Sequence, residues 1–298
     1  MTETSPWKPR TLAAQALGRI EPQTKAIVPP LHVSTTYLRD PDNAYRTGLI
    51  YGRPDNETVR HTESIIAALE GAKAALLFGA GMAAATAAVM ALPRSGGIVA
   101  SQVMYWAFRD WLMREAARFG HSVALVDTTD LDVVRAAVAR ERPVLVWIET
   151  PGNPLWTISD IAAIAEVAHA AGARLAVDST VATPVFSRPL ALGADLVMHS
   201  ASKYLNGHSD VIAGALAVAT EDEWWARIAT LRTQHGMILG PFEAGCSCAA
   251  CARSMSGSGP SPRARPLSRP GSPVIRRSSE SSTRDCRAIP DTSSPRRR

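Results

Sequence analysis

The chain reads as an α/β protein whose mostly parallel sheet is covered on both faces. Three features predict this. Seven short apolar runs alternate with segments of helical period from Glu57 to about Thr230. The runs are apolar throughout, as strands buried on both faces are. Each is separated from the next by a stretch long enough for a crossover, usually a helix, which parallel pairing requires.

The candidate strands are Ala74–Phe78, Gly97–Ala100, Ser122–Val126, Val144–Ile148, Arg174–Val177, Asp195–Met198 and Ile212–Val218. The candidate helices are Glu57–Leu69, Met82–Leu92, Phe108–Phe119, Leu131–Arg140, Ile161–Ala170 and Asp222–Leu231. Thr129-Asp130-Leu131-Asp132 and Thr157-Ile158-Ser159-Asp160 fit loose capping boxes, with Asp at the fourth position. Residues 1–50 look irregular, broken by Pro29-Pro30 and Pro41-Asp42-Asn43. Trp224-Trp225 is expected in the core rather than at a ligand.

Of 298 residues, 46% are hydrophobic and 20% charged, which is ordinary for a globular chain with room for a sizeable core. No apolar run is long enough to cross a bilayer. The N-terminus, MTETSPWKPR, has no apolar signal region, so a cytoplasmic location is expected. The net charge of +5 is unevenly placed. Eleven of the 32 basic residues, all Arg, and 3 of the 27 acids lie beyond Gly245, giving −3 before that point and +8 after it. All four cysteines, Cys246, Cys248, Cys251 and Cys286, lie there too. Their spacing is not a paired C-x-x-C set, so no metal site is expected. The Arg-rich tail lacks interleaved aromatics, so no specific nucleic-acid partner is expected. From Arg253 the composition is Ser, Pro, Arg and Gly without period, which reads as disorder. The domain reading is an arm over 1–56, a large domain over 57–245 and a disordered tail over 246–298.

The chemistry-bearing residues stand at strand ends. His199-Ser200-Ala201-Ser202-Lys203-Tyr204 follows an apolar run, placing Lys203 where open α/β sheets bind ligands. A lysine there can act as an amine nucleophile, although a solvated loop lysine is the plainer reading of that residue alone. Asp178 closes the run Arg174–Val177, either as a turn residue or facing a buried cation. Gly79-Ala80-Gly81-Met82 joins a strand to a helix, a geometry whose backbone N–H groups suit an anion.

These stretches resemble the pyridoxal-phosphate (PLP) enzymes of cysteine and methionine metabolism, which include cystathionine γ-synthase, γ-lyase and β-lyase. The likeness is carried by Asp178-Ser179-Thr180 through Pro184, by Pro189–Val197, and by His199 through Asp210. Glu149-Thr150-Pro151-Gly152-Asn153-Pro154 is similar to the family's E-[ST]-P-x-N-P, and Tyr51-Gly52-Arg53 with Asn56 to its Y-x-R-x-x-N. The resemblance implies the type I, aspartate-aminotransferase-like fold with a seven-stranded sheet. It also implies trans-sulfuration chemistry: β- or γ-elimination, or γ-replacement, on a sulfur amino acid. It assigns Lys203 to covalent cofactor attachment and proton transfer, Asp178 to the pyridine nitrogen and Asn153 to the ring hydroxyl. Gly81, Met82, Ser200 and Ser202 would hold the phosphate, and Tyr105 would stack on the ring. Tyr51 and Arg53 would reach a neighbouring subunit's phosphate, implying a homodimer, usually paired into a tetramer.

The chain departs from the family in places. Trp106 follows Tyr105 where glycine is usual, and Glu57 stands where proline is common. Members also continue into a small C-terminal domain that supplies an arginine for the substrate carboxylate, and nothing here matches it. The family continues after P-F-E-A with a pattern like W-L-L-L-R-G-M-R-T-L. Here Gly245 onward reads G-C-S-C-A-A-C-A-R-S. If the first two bases of each observed codon become the last two of a shifted one, these ten codons permit that pattern in order. Loss of one base before the Gly245 codon is therefore expected. The alternative to an active enzyme is a catalytically inactive, truncated PLP-binding remnant.

Overall fold

The computed structural model describes residues 8–247, which lie in one compact unit spanning Met1–Gly259. A second unit, Pro260–Arg298, and most of the tail expected over 246–298 lie outside the described residues.

Seven strands form one sheet: β1 (Ala74–Phe78), β2 (Gly96–Ser101), β3 (His121–Val126), β4 (Pro143–Glu149), β5 (Arg174–Asp178), β6 (Leu196–His199) and β7 (Gly214–Val218). Their order is β1-β7-β6-β5-β4-β2-β3. Pairing is parallel except for β7, which runs antiparallel to both β1 and β6. The expected mostly parallel, seven-stranded α/β fold is therefore observed.

The helices are α1 (Pro9–Ala14), α2 (Glu57–Glu70), α3 (Gly81–Met90), α4 (Trp106–Glu115), α5 (Leu131–Glu141), α6 (Ile161–Ala170), α7 (Thr183–Phe186) and α8 (Glu223–Gln234), with a further helical stretch, α9, over 241–247. Strand β4 shows why both faces need cover. Leu145 and Trp147 point into a core shared with α3, α4 and α8, while Val146 and Ile148 point into one shared with α5 and α6. Helix α2 covers the rest of the second face, over Leu77, Ala215 and Ala217. Trp224 and Trp225 are both buried, with the Trp224 indole N–H donating to Ala88 O at 2.8 Å, so this pair is core.

Helix α3, rich in alanine, packs close to the sheet. A Cβ at Gly214 would stand 2.2 Å from Ala80 O, so only glycine lets the start of α3 rest on β7. Arg232 ties three elements together. It is buried on α8, donates to Leu77 O at 2.7 Å and to Glu63 Oε1 at 3.1 Å, and faces the Phe78 ring.

Local expectations need two corrections. The N-caps of α5 and α6 are Asp130 and Asp160, whose side chains accept from backbone N–H groups, rather than Thr129 and Thr157. Aspartate is as good a cap as threonine or better, and it stands one residue before the first helical turn. The stretch before Glu57 is not wholly irregular: proline at the start of α1 suits a helix, and Ala13 packs with Ile65 and Leu69 of α2. Helix α9 runs through Cys246 and Ser247, which lie beyond the expected domain end at 245. Asn56, read as part of the Tyr51 motif, caps α2 through Thr58 and Val59 and donates to His32 O at 2.7 Å.

Candidate active site

The carboxyl ends of the parallel strands open onto a cavity of about 450 Å³. Eight expected site residues line it: Gly81, Met82, Tyr105, Asn153, Asp178, Ser200, Ser202 and Lys203. They come from loops after five different strands or from the helix starts that follow. The alternation of short strands and crossovers thus gathers distant residues at one edge.

One wall is the start of α3. Its first-turn N–H groups have no intrahelical partner, and its dipole favours an anion. A Cβ at Gly81 would stand 2.8 Å from Ser200 Oγ and 3.1 Å from Ser200 Cα, so glycine brings helix start and hydroxyl together. Ser202 also lines the cavity, but its hydroxyl is engaged with Ala213, donating to the carbonyl at 3.1 Å and accepting the N–H at 2.8 Å. Lys203 stands in the turn after β6, its N–H donating to Ser200 O at 3.0 Å, with its side chain exposed to the cavity.

The floor is acidic. Asp178 ends β5, and its Oδ1 accepts the Thr180 N–H at 3.0 Å and hydroxyl at 2.6 Å. The same Thr180 hydroxyl accepts the Ser200 N–H at 2.7 Å, tying the carboxylate to the lysine loop. Burial raises the Asp178 pKa; the Thr180 bonds and the field of His199 pull the other way. His199 is itself buried, its Nε2 standing 2.5 Å from Glu70 Oε1.

Two groups stand out to which the motif reading gave no role. Thr180 is the link just described. Glu149 ends β4 beside Asp178, its register partner on β5. Its Oε2 accepts the Tyr105 N–H at 2.6 Å and its Oε1 the Asn153 N–H at 2.9 Å. Burial, then the neighbouring Asp178, push its pKa up to about 7. The signal that marked Asp178, an acid closing an apolar run, marks Glu149 equally.

A pH dependence follows. A carboxyl whose pKa rises from 4.5 to about 7 on folding binds its proton more tightly in the folded state. Its contribution is therefore most favourable below pH 4.5 and is lost as pH rises towards 7. Relative to Glu149→Gln, the wild-type chain should lose about 3 kcal/mol of stability between those limits. Urea unfolding of both proteins across that range measures it, and parallel curves would refute it.

Tyr51 and Arg53 do not line the cavity. Tyr51 bridges to Thr36, and the Arg53 guanidinium lies over its ring at 5.7 Å. Trp106 is exposed, its ring centroid 6.1 Å from that of Tyr105. Among the described residues no three His, Cys, Asp or Glu side chains cluster as metal ligands, and no helix is long and apolar enough to cross a membrane.

The arrangement fits PLP on its own terms. The helix start with Gly81 and Ser200 suits a phosphate. The buried Asp178 carboxyl is best stabilised by a cation such as a protonated pyridine nitrogen. A flexible amine stands at the same cavity in Lys203.

Comparison with known proteins agrees. Residues 10–249 match the family described as Cys/Met metabolism PLP-dependent enzyme. The chain is 37% identical over 243 residues to cystathionine gamma-lyase of Dictyostelium discoideum, covering 82% of this chain and 62% of that protein. It is 39% identical over 237 residues to cystathionine gamma-synthase of Mycobacterium bovis, covering 79% and 61%. The crystal structure of a cystathionine gamma lyase from Micromonospora echinospora superposes with a TM-score of 0.78 at 37% identity, over 84% of this chain and 65% of that one. The chain thus spans about three-fifths of the length of the curated relatives it matches. With its sheet, its strand-end cavity and these relatives in agreement, the chain belongs to the Cys/Met metabolism family of PLP-dependent enzymes.

Proposed function

We propose that the chain uses PLP to eliminate or replace a β- or γ-substituent of a sulfur amino acid, as a cystathionine γ-synthase or γ-lyase does. The observation that carries this reading is the meeting of Lys203, Asp178 and the α3 start at one cavity. When bound, the cofactor supplies an electron sink for the bond-breaking at the substrate. Lys203 Nζ would hold the cofactor through its aldehyde carbon and, once a substrate amine displaced it there, would be free to move the proton at the substrate Cα. The Asp178 carboxylate would hold a proton on the ring nitrogen, and Thr180 orients that carboxylate. Gly81, Met82, Ser200 and Ser202 would hold the phosphate. Asn153 would meet the ring hydroxyl, and Tyr105 would cover the ring face. Tyr51 and Arg53 serve the cavity of a second copy in a homodimer, two of which form a tetramer.

The test is product analysis. The purified, PLP-loaded protein is incubated with cystathionine, O-acyl-homoserine with cysteine, and methionine, and keto acids, thiols and cystathionine are quantified. Turnover of one of them supports the reading. A PLP-loaded protein that turns over none points to the second reading, a chain that binds the cofactor without catalysis, which the change of sequence character at Gly245 favours.

A further inference from the structure

We propose that Glu149 is a positioning residue: its carboxyl pins the backbone N–H groups of Tyr105 and Asn153 to the end of β4, and so sets where these two stand on the cavity wall. The inference rests on the reading that this cavity holds PLP.

Tyr105 and Asn153 belong to different loops. Tyr105 precedes α4, after β2, and Asn153 follows β4. Their common attachment is one side chain, which spends one oxygen on each, at 2.6 and 2.9 Å. Glu149 is 6% exposed, so both bonds form away from water, where a carboxylate acceptor gives the stronger kind of hydrogen bond.

The anchor is itself fixed. The Glu149 N–H donates to Ser101 Oγ at 3.3 Å. The Ser101 hydroxyl meets Thr128 at 2.8 Å, and Thr128 meets Ser159 at 2.9 Å. Ser159 N–H donates to Thr150 Oγ1 at 3.0 Å, closing the row beside β4. Gly152 holds the loop tightly, since a Cβ there would stand 2.5 Å from Thr157 Oγ1. A carboxyl so held transmits the position of the sheet to Tyr105 and Asn153. The acid facing it is Asp178 of β5, with His199 of β6 acting on Asp178 in turn, so its occupancy by a proton also responds to that neighbour.

The test compares the full chain with Glu149→Gln and Glu149→Ala. Hydrogen exchange is read at the Tyr105 and Asn153 amides without cofactor, with Val146 inside β4 as internal control. The PLP dissociation constant and the bound cofactor's circular dichroism are then read. In the alanine variant both amides should lose protection while Val146 keeps it, and PLP should bind about 10- to 100-fold more weakly with an altered dichroism band. Glutamine keeps one acceptor and should fall between the two. If alanine prevents folding, the glutamine variant decides. Unchanged protection at both amides, or lost protection with unchanged PLP affinity, overturns the proposal. A wild-type chain that binds no PLP instead refutes the reading of the cavity, while the exchange arm still reports on the pinning.

Discussion

Lys203→Ala should abolish covalent capture of PLP. Borohydride treatment of the wild-type chain with PLP should leave one reduced C–N linkage, found by mass spectrometry on the peptide carrying Lys203. The alanine variant should show none there, and any turnover should fall by about 10²- to 10⁴-fold or more, since it loses both nucleophile and proton carrier. The lysine is suited to this because its turn is held while its side chain is not. The Lys203 and Asn206 N–H groups donate to Ser200 O and Ala201 O, both at 3.0 Å, fixing the backbone beside the cavity. The substitution removes a largely exposed side chain, so the urea midpoint should hardly move. Label on another lysine would refute the assignment.

Inserting one base before the Gly245 codon should convert a poorly soluble chain into a soluble, active one. We propose that the shifted frame encodes the family's small domain, because ten successive codons permit its expected opening. The described structure gives this a physical side. Phe242 on α9 is 62% exposed, apolar surface that invites cover. A restored domain would cover part of it and return a bidentate arginine for the substrate carboxylate. The gain in turnover should be about 10²-fold or more, the scale of restored substrate positioning. Solubility and cystathionine turnover of the repaired and original proteins measure it. No family-like sequence in the new frame, or equal turnover without repair, would sink the idea.

How much was legible in the sequence depended on range. Strand β4 announces itself because Val144 through Ile148 are apolar on both faces, and neighbouring crossovers leave no other place for it. Asp178 and Lys203 stand at or soon after the ends of such runs, and the resemblance of their D-S-T and H-S-A-S-K-Y stretches to the family is what singles them out. At both caps a Thr precedes the capping Asp, by one residue before α5 and by three before α6, and which residue caps is settled by where the first turn closes. Glu149 was visible as a motif letter, but its two N–H partners are 44 and 4 residues away, and no local pattern announces the former. The buried pair of His199 with Glu70 spans 129 residues and was silent for the same reason. Tyr51 and Arg53 are marked only by their resemblance to the family's Y-x-R-x-x-N element, and neither lines the cavity.

The placement of β7 has a consequence for how the molecule is assembled. β1 is made early but, among the described residues, pairs only with β7, some 140 residues later in the chain. At ordinary rates of synthesis, about 5–20 residues per second, its edge waits on the order of 10 s or more at the ribosome. Until β7 arrives, the backbone of Ala74–Phe78 offers unpaired N–H and C=O groups to any passing strand. The helix start that forms one wall of the cavity follows directly from β1. The cavity is therefore completed from its oldest segment last, and translation pauses between residues 78 and 214 lengthen the window in which that edge can recruit the wrong partner.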